Sequence, residues 1–161
     1  MRLRPPPEVR ERADGHRVLA WLPSGASSLI ATDDALLLPA GSEPDSIPWH
    51  LVLRLVWNPD SIEVTSQATA GGRPETHRIA VAEPFGAMPE VVRERVTASI
   101  VVQEHVPLVG ERGARLVARR TPGSDELRWS VVFDVGLDAA DPALREQADA
   151  ALADLRAALG V

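Results

Sequence analysis

The sequence predicts an α+β chain: a small antiparallel β-barrel closed by one helix, then a β-hairpin and an amphipathic helix. Three observations carry this. Strand-like segments bounded by turn residues follow one another from Arg17 to Pro84. One of them, IPWHLVLRLVW, alternates apolar residues over its whole length. The last stretch, DPALREQADAALADLRAALG, carries a helical apolar stripe between a capping aspartate and a terminating glycine.

The elements follow in order. Residues 1–7 read as a flexible tail, because three consecutive prolines favour an extended chain. PEVRERADG offers one or two helical turns, with Pro7 near the start and Gly15 as the stop. RVLAWLP is a first strand with Val18, Ala20 and Leu22 on one face. SLIAT is a second, and Asp33-Asp34 turns it into a third, ALLLP. PSGAS and GSEPDS are loops.

The alternation of IPWHLVLRLVW places Ile47, Trp49, Leu51, Leu53, Leu55 and Trp57 on one face, with His50, Val52, Arg54 and Val56 on the other. Asn58-Pro59-Asp60-Ser61 is a type I turn signal. SIEVTSQA returns antiparallel, TAGGRPE is a loop, and THRIAVAEP is another strand.

PEVVRERVTASIVVQEHVPL is rich in valine, which favours strands. Its apolar residues nevertheless cluster at a spacing near four, with polar trios between them. The spacing predicts a largely buried helix from Met88 to His105, with Pro89 in its first turn and Pro107 barring continuation. A strand over Ser99–Val106 is the alternative. GARLVARR and LRWSVVFDVG then form a hairpin. Ala114, Leu116 and Ala118 share a face with Trp129, Val131 and Phe133, along with Val135. In the last helix Asp141 caps, Pro142 starts and Gly160 ends, and Leu144, Ala148, Ala151, Leu152, Leu155 and Leu159 form the stripe. The resulting division is 1–7 tail, 8–109 barrel and helix, and 110–161 hairpin and helix, the last packing on the barrel or pairing between subunits.

RVLAW, SLIATDDALLL, IPWHLVLRLVW, THRIAVAEP and MPEVVRERV, taken together, resemble the bacterial pleckstrin-homology-like pattern. Thr32-Asp33-Asp34-Ala35-Leu36 and Ile47-Pro48-Trp49 carry the likeness, over residues 8–106. It implies a PH-like barrel, commonly of seven strands. Five or six are countable here, and a bend in the 47–57 strand would supply the rest. The resemblance also implies recognition of a peptide along an open strand edge beside the helix. The chain as a whole resembles an uncharacterised actinobacterial family, which implies no known activity.

Composition narrows the function. The 161 residues include no cysteine, so disulfides, thiolate metal sites and cysteine nucleophiles are excluded. A reducing cytoplasm suits such a chain. All 17 basic residues are arginine, which removes lysine Schiff-base and phosphate-loop chemistry. A net charge of −6 argues against nucleic acid and anionic membranes as partners. The N-terminus lacks the apolar run of a signal peptide, and no stretch of 18 apolar residues predicts integral membrane association.

No catalytic, metal or cofactor set is legible. His16, His50, His77 and His105 lie at no ligand spacing, PSGASS is not a nucleophile elbow, and Asp33-Asp34 reads as a turn. The constellation worth following is Arg115, Arg119 and Arg128. Strand parity puts them on one hairpin face, with Arg128 opposite Arg119 and Arg120 on the other parity. Opposed like charges invite an anion, so this face is a candidate for docking an acidic segment or a phosphate. The competing reading is a solvated face neutralised by Asp134, Asp125 or Glu126. The expected function is a non-catalytic module that binds an as yet unknown protein partner, with homo-oligomerisation open. The alternatives are a small-ligand or phosphoinositide-type module, and an enzyme assembled from His50, His77 and Asp33.

Overall fold

A computed structural model describes residues 4–67, 73–121 and 124–161, which divide at Ser99 into two units, Met1–Ser99 and Ile100–Val161. Much of the TAGGRPE loop, Pro122-Gly123 of the hairpin turn and the first three residues of the expected tail lie outside the described residues.

In the first unit, helix α1 (Pro7–Ala13) begins at a proline, whose fixed φ suits a first turn. It ends at Asp14 in the left-handed conformation, one residue before the expected Gly15. Val9 and Ala13 are buried. Arg12 fastens the helix to the strands beneath: its guanidinium donates to the Ser28 carbonyl at 2.7 Å, to Ser27 Oγ at 3.2 Å and to the Leu38 carbonyl.

Four antiparallel strands follow, paired in chain order: β1 (Val18–Ser24), β2 (Ser27–Thr32), β3 (Ala35–Leu37) and β4 (Ser46–Pro48). The turn between β2 and β3 is built by Thr32. Its buried hydroxyl accepts from the backbone N–H of Asp34 and Ala35 at 3.2 and 3.0 Å, and donates to the Ala35 carbonyl at 3.0 Å. Trp49 closes the arrangement, its indole Nε1 donating to the Thr32 carbonyl at 2.9 Å. The TDDAL and IPW stretches are therefore one interlocked substructure.

That bond also explains why the long strand expected over 47–57 is broken. A 3-10 turn (Trp49–Leu51) separates β4 from β5 (Val52–Asn58), and a register shift falls between Val52 and Arg54. The turn brings Trp49 inward, and the bulge changes which side of the pleat faces the core. Val52, expected on the outer face, is fully buried, whereas Leu51 and Leu53 are only half-buried.

β5, β6 (Ser61–Ser66) and β7 (Glu75–Ala80) form a second antiparallel sheet in chain order. Pro59-Asp60 makes the expected turn between Asn58 and Ser61. Among the described residues seven strands thus precede the next helix: the sequence counts five or six, and the break in the 47–57 stretch supplies a further one, as a bend there was expected to. The described ladders give open sheets of four and three strands and do not close into a barrel. Leu29, Leu36, Leu38, Val52, Ile62, Val64, Met88 and Val92 belong to one hydrophobic cluster.

The expected helix over 88–105 is a helix only in its first half. α2 (Met88–Ala98) carries Pro89 and Glu90 in its first turn and buries Met88 and Val92. It ends at Ser99, whose hydroxyl donates to the Val96 carbonyl at 2.7 Å. From Ile100 the chain is strand β8 (Ile100–Val109). Here the β-branched run follows its intrinsic preference, because β9 (Arg112–Arg120) pairs with it along its length. β8 is an edge strand, half-exposed, so polar trios interrupt its apolar residues and imitate a helical spacing. Pro107 is tolerated for the same reason, since an edge strand need not donate on its outer side.

The second unit therefore begins at Ile100 rather than after Val109. Its sheet runs β8–β9–β10, with β10 spanning Leu127–Phe133. Ala118 pairs with Trp129, Leu116 with Val131 and Ala114 with Phe133, as the sequence predicts. Ala114, Leu116 and Ala118 are buried. α3 (Pro142–Leu159) packs on β8 and β10, capped by Asp141, whose carboxylate accepts from Ala143 N–H at 2.9 Å. Its stripe is buried at Leu144 and Ala148 and opens towards Leu159.

Candidate functional site

β5 is an end strand of its sheet, so among the described residues one side of its backbone has no ladder partner. Such an edge presents unpaired N–H and C=O groups at a strand's spacing. Alongside it lies α2, and a cleft of about 610 Å³ opens between the two. That volume lies within the range of ligand-binding clefts. Leu53, Leu55 and Trp57 line the strand wall, one on every second residue. Pro89, Val92 and Val96 line the helix wall, one per turn. Trp57 is steadied by Phe85, the ring centroids being 5.0 Å apart and tilted by 50°. Leu55, Trp57 and Val96 pack partly on the core beneath. Leu53, at the bulge, is half-buried and faces the cleft.

Four polar residues complete the lining: Arg54 from β5, and Glu90, Arg93 and Thr97 from α2. All four are exposed. Glu90 and Arg93 are one helical turn apart but are not within ion-pair distance, and Arg54 has no carboxylate beside it among the described residues. An apolar trough lined by an end strand, with two arginines that form no ion pair among the described residues, can hold an extended chain.

The three arginines singled out from sequence lie on β9 and β10 in the expected register. Arg128 pairs with Arg119, and Arg115 with Val132. Their exposure differs. Arg115 is exposed and Arg128 half-buried, but Arg119 retains only 3% of its accessible surface. Burial pushes the Arg119 guanidinium down to about 10, still charged at neutral pH. Arg128 Nη1 is enclosed without a hydrogen bond among the described residues. A partner arriving from solvent would meet Arg115 and part of Arg128, but not Arg119. Arg120, on the opposite parity, is exposed.

Sequence reasoning missed a pair on the same unit. His105 Nε2 lies 2.8 Å from Asp134 Oδ2, which also accepts from Gly113 N–H at 2.8 Å. These bonds, that with His105 first, hold the Asp134 carboxyl below its ordinary value, helped by the nearby charges of His105 and Arg115. Asp134, one of the three acids that the competing reading offered to neutralise the arginine face, is engaged mainly by His105 and a backbone amide. The β8–β9 register sets His105 opposite Arg115, and Asp134 follows Phe133, which pairs with the neighbouring Ala114 on β9's other side. Reading residues 99–105 as helix concealed it.

Two of the three residues of the enzyme alternative have the following neighbours. Asp33 Oδ1 lies 3.4 Å from His16 Nδ1 and accepts from Arg17 N–H, while His77 Nε2 lies 3.4 Å from Ser66 Oγ. Among the described residues no three His, Asp or Glu side chains are placed to hold a metal ion, and no helix is long and apolar enough to cross a membrane. No family model, curated protein or solved structure matches the chain.

Proposed function

We propose that this chain is a non-catalytic protein-binding module of PH-like character, which takes up an extended peptide segment of a partner by strand addition along β5. The observation that carries the reading is an apolar cleft lined on one side by β5, an end strand of its described sheet, and on the other by α2. Strand addition draws affinity from main-chain hydrogen bonds and selectivity from pockets for alternate side chains. As an end strand β5 would offer the first, and the cleft, with Leu53, Leu55 and Trp57 at the strand's period of two, the second. The PH-like assignment rests on a four-stranded and a three-stranded antiparallel sheet followed by a helix, and on the interlock of TDDAL with IPW through Trp49. A cysteine-free chain suits a reducing compartment, so we place this activity in the cytoplasm.

The test is selection from a randomised library of short linear peptides, followed by amide hydrogen exchange on the complex. A strand-adding peptide slows exchange of the outward β5 amides and loses affinity when Leu53 is replaced by aspartate. Selected peptides that leave β5 exchange unchanged, or bind the Leu53→Asp variant equally, would refute this mode of binding.

A further inference from the structure

Resting on that reading, we infer the chemistry of the segment the cleft accepts: an extended peptide bearing an aspartate or glutamate between apolar residues, its carboxylate held by Arg54 and Arg93. The apolar part follows from the walls. Leu53, Leu55 and Trp57 on β5 and Val92 and Val96 on α2 offer apolar surface on both sides of the trough. A strand laid along β5 points alternate side chains into it.

The acidic part follows from charge. The chain carries a net charge of −6, yet the cleft lining holds two arginines against one glutamate. The two cations come from opposite walls, Arg54 from the strand and Arg93 from the helix. Neither forms an ion pair among the described residues. With two arginines to one glutamate the lining is net positive in an otherwise acidic protein, which favours acidic segments over cationic ones. Seating a peptide displaces water from around both guanidinium groups, which strengthens their field and raises the cost of leaving them without an anion. A carboxylate on the guest meets that requirement. A lysine there would add a third positive charge.

The experiment selects the same peptide library against three proteins: wild type, the Arg54→Glu/Arg93→Glu double variant, and Leu53→Asp, each first shown to keep the wild-type far-ultraviolet spectrum. Wild type should enrich sequences with aspartate or glutamate flanked by apolar residues at alternate positions. The double variant should enrich lysine or arginine at that position, and Leu53→Asp should enrich neither class. In titrations with a selected acidic peptide, each single arginine-to-alanine change should weaken binding roughly two- to five-fold, with the loss shrinking as salt is raised. If wild type and the double variant select the same uncharged apolar sequences, the inference about charge is overturned while peptide binding at β5 stands. If wild type selects nothing, or Leu53→Asp retains the wild-type peptides, the binding mode itself is wrong and this inference falls with it.

Discussion

Replacing Gly113 by alanine should be among the most disruptive single-methyl additions available in this protein. A Cβ at Gly113 would lie 1.8 Å from the Val106 carbonyl oxygen, 2.7 Å from its carbon and 2.8 Å from Pro107 Cα. All three atoms are backbone, so no rotamer change can relieve the overlap. The strands must separate, and the site is already occupied by two hydrogen bonds. Gly113 N–H donates to Asp134 Oδ2 at 2.8 Å, and its carbonyl accepts from Asp134 N–H at 2.8 Å. Overpacking costs about 1–3 kcal/mol, and the loss of both bonds adds about 1 kcal/mol each. The sum is about 3–5 kcal/mol, or roughly 10 °C in melting temperature for a chain of this size. Gly110→Ala provides the comparison. Gly110 has φ 61° in the two-residue turn between Val109 and Arg112, and a Cβ there meets nothing within 4 Å. Its substitution costs only left-handed backbone strain, about 1–2 kcal/mol. Thermal unfolding by circular dichroism measures both. A Gly113→Ala protein melting within about 2 °C of wild type, or above Gly110→Ala, would show that β8 and β9 do not approach as described.

Three further outcomes follow from local contacts. Asp134 has its carboxyl lowered in the folded state, chiefly by His105 and the Gly113 amide, so its contribution to stability is present above the ordinary value of 3.8 and is lost as pH falls through the lowered one. Acid unfolding of wild type and Asp134→Asn should therefore differ near neutral pH and converge below that window; parallel curves at every pH would contradict the pairing. Thr32→Val removes the buried hydroxyl that serves the Asp34 and Ala35 amides and should cost about 1–3 kcal/mol in urea unfolding, whereas Thr32→Ser should retain most of that stability. Arg119→Glu, at 3% exposure beside Arg128, should destabilise by at least about 2 kcal/mol, while exposed Arg115→Glu should change stability by less than about 1 kcal/mol. Equal effects from the two arginines in the same unfolding assay would mean that their environments do not differ.

Much of the fold was legible because hairpins are written locally. The Asn58-Pro59-Asp60-Ser61 turn, the pairing of Ala114, Leu116 and Ala118 with Phe133, Val131 and Trp129, and the Asp141 cap follow from residues within one element or its neighbour. What the sequence left open or misread depended on partners remote in the chain. The break in the 47–57 strand comes from Trp49 reaching back to Thr32, which no periodicity records. The strand at Ile100–Val109 comes from β9, whose pairing outweighed a misleading apolar spacing. The cleft was legible only as a resemblance that placed binding beside the helix. Its arginines, Arg54 and Arg93, sit on different elements and share no spacing. The arginines that did share a strand pattern, Arg115 and Arg119, ended in unlike environments, because parity fixes a face but not what covers it.

Every described ladder joins strands that are consecutive in the chain. This bears on how the molecule is assembled. Each hairpin closes over a short loop, so the entropy lost at each step is small, and no strand must wait for a distant one before it can pair. In the first unit the steps with a long reach are the packing of the two sheets in one core and the return of α2 onto β1 and β2. Folding should therefore be fast for a β-rich chain. Changes at Val92, which anchors α2 in the core, should slow it, whereas changes in the hairpin turns should alter chiefly the rate of unfolding.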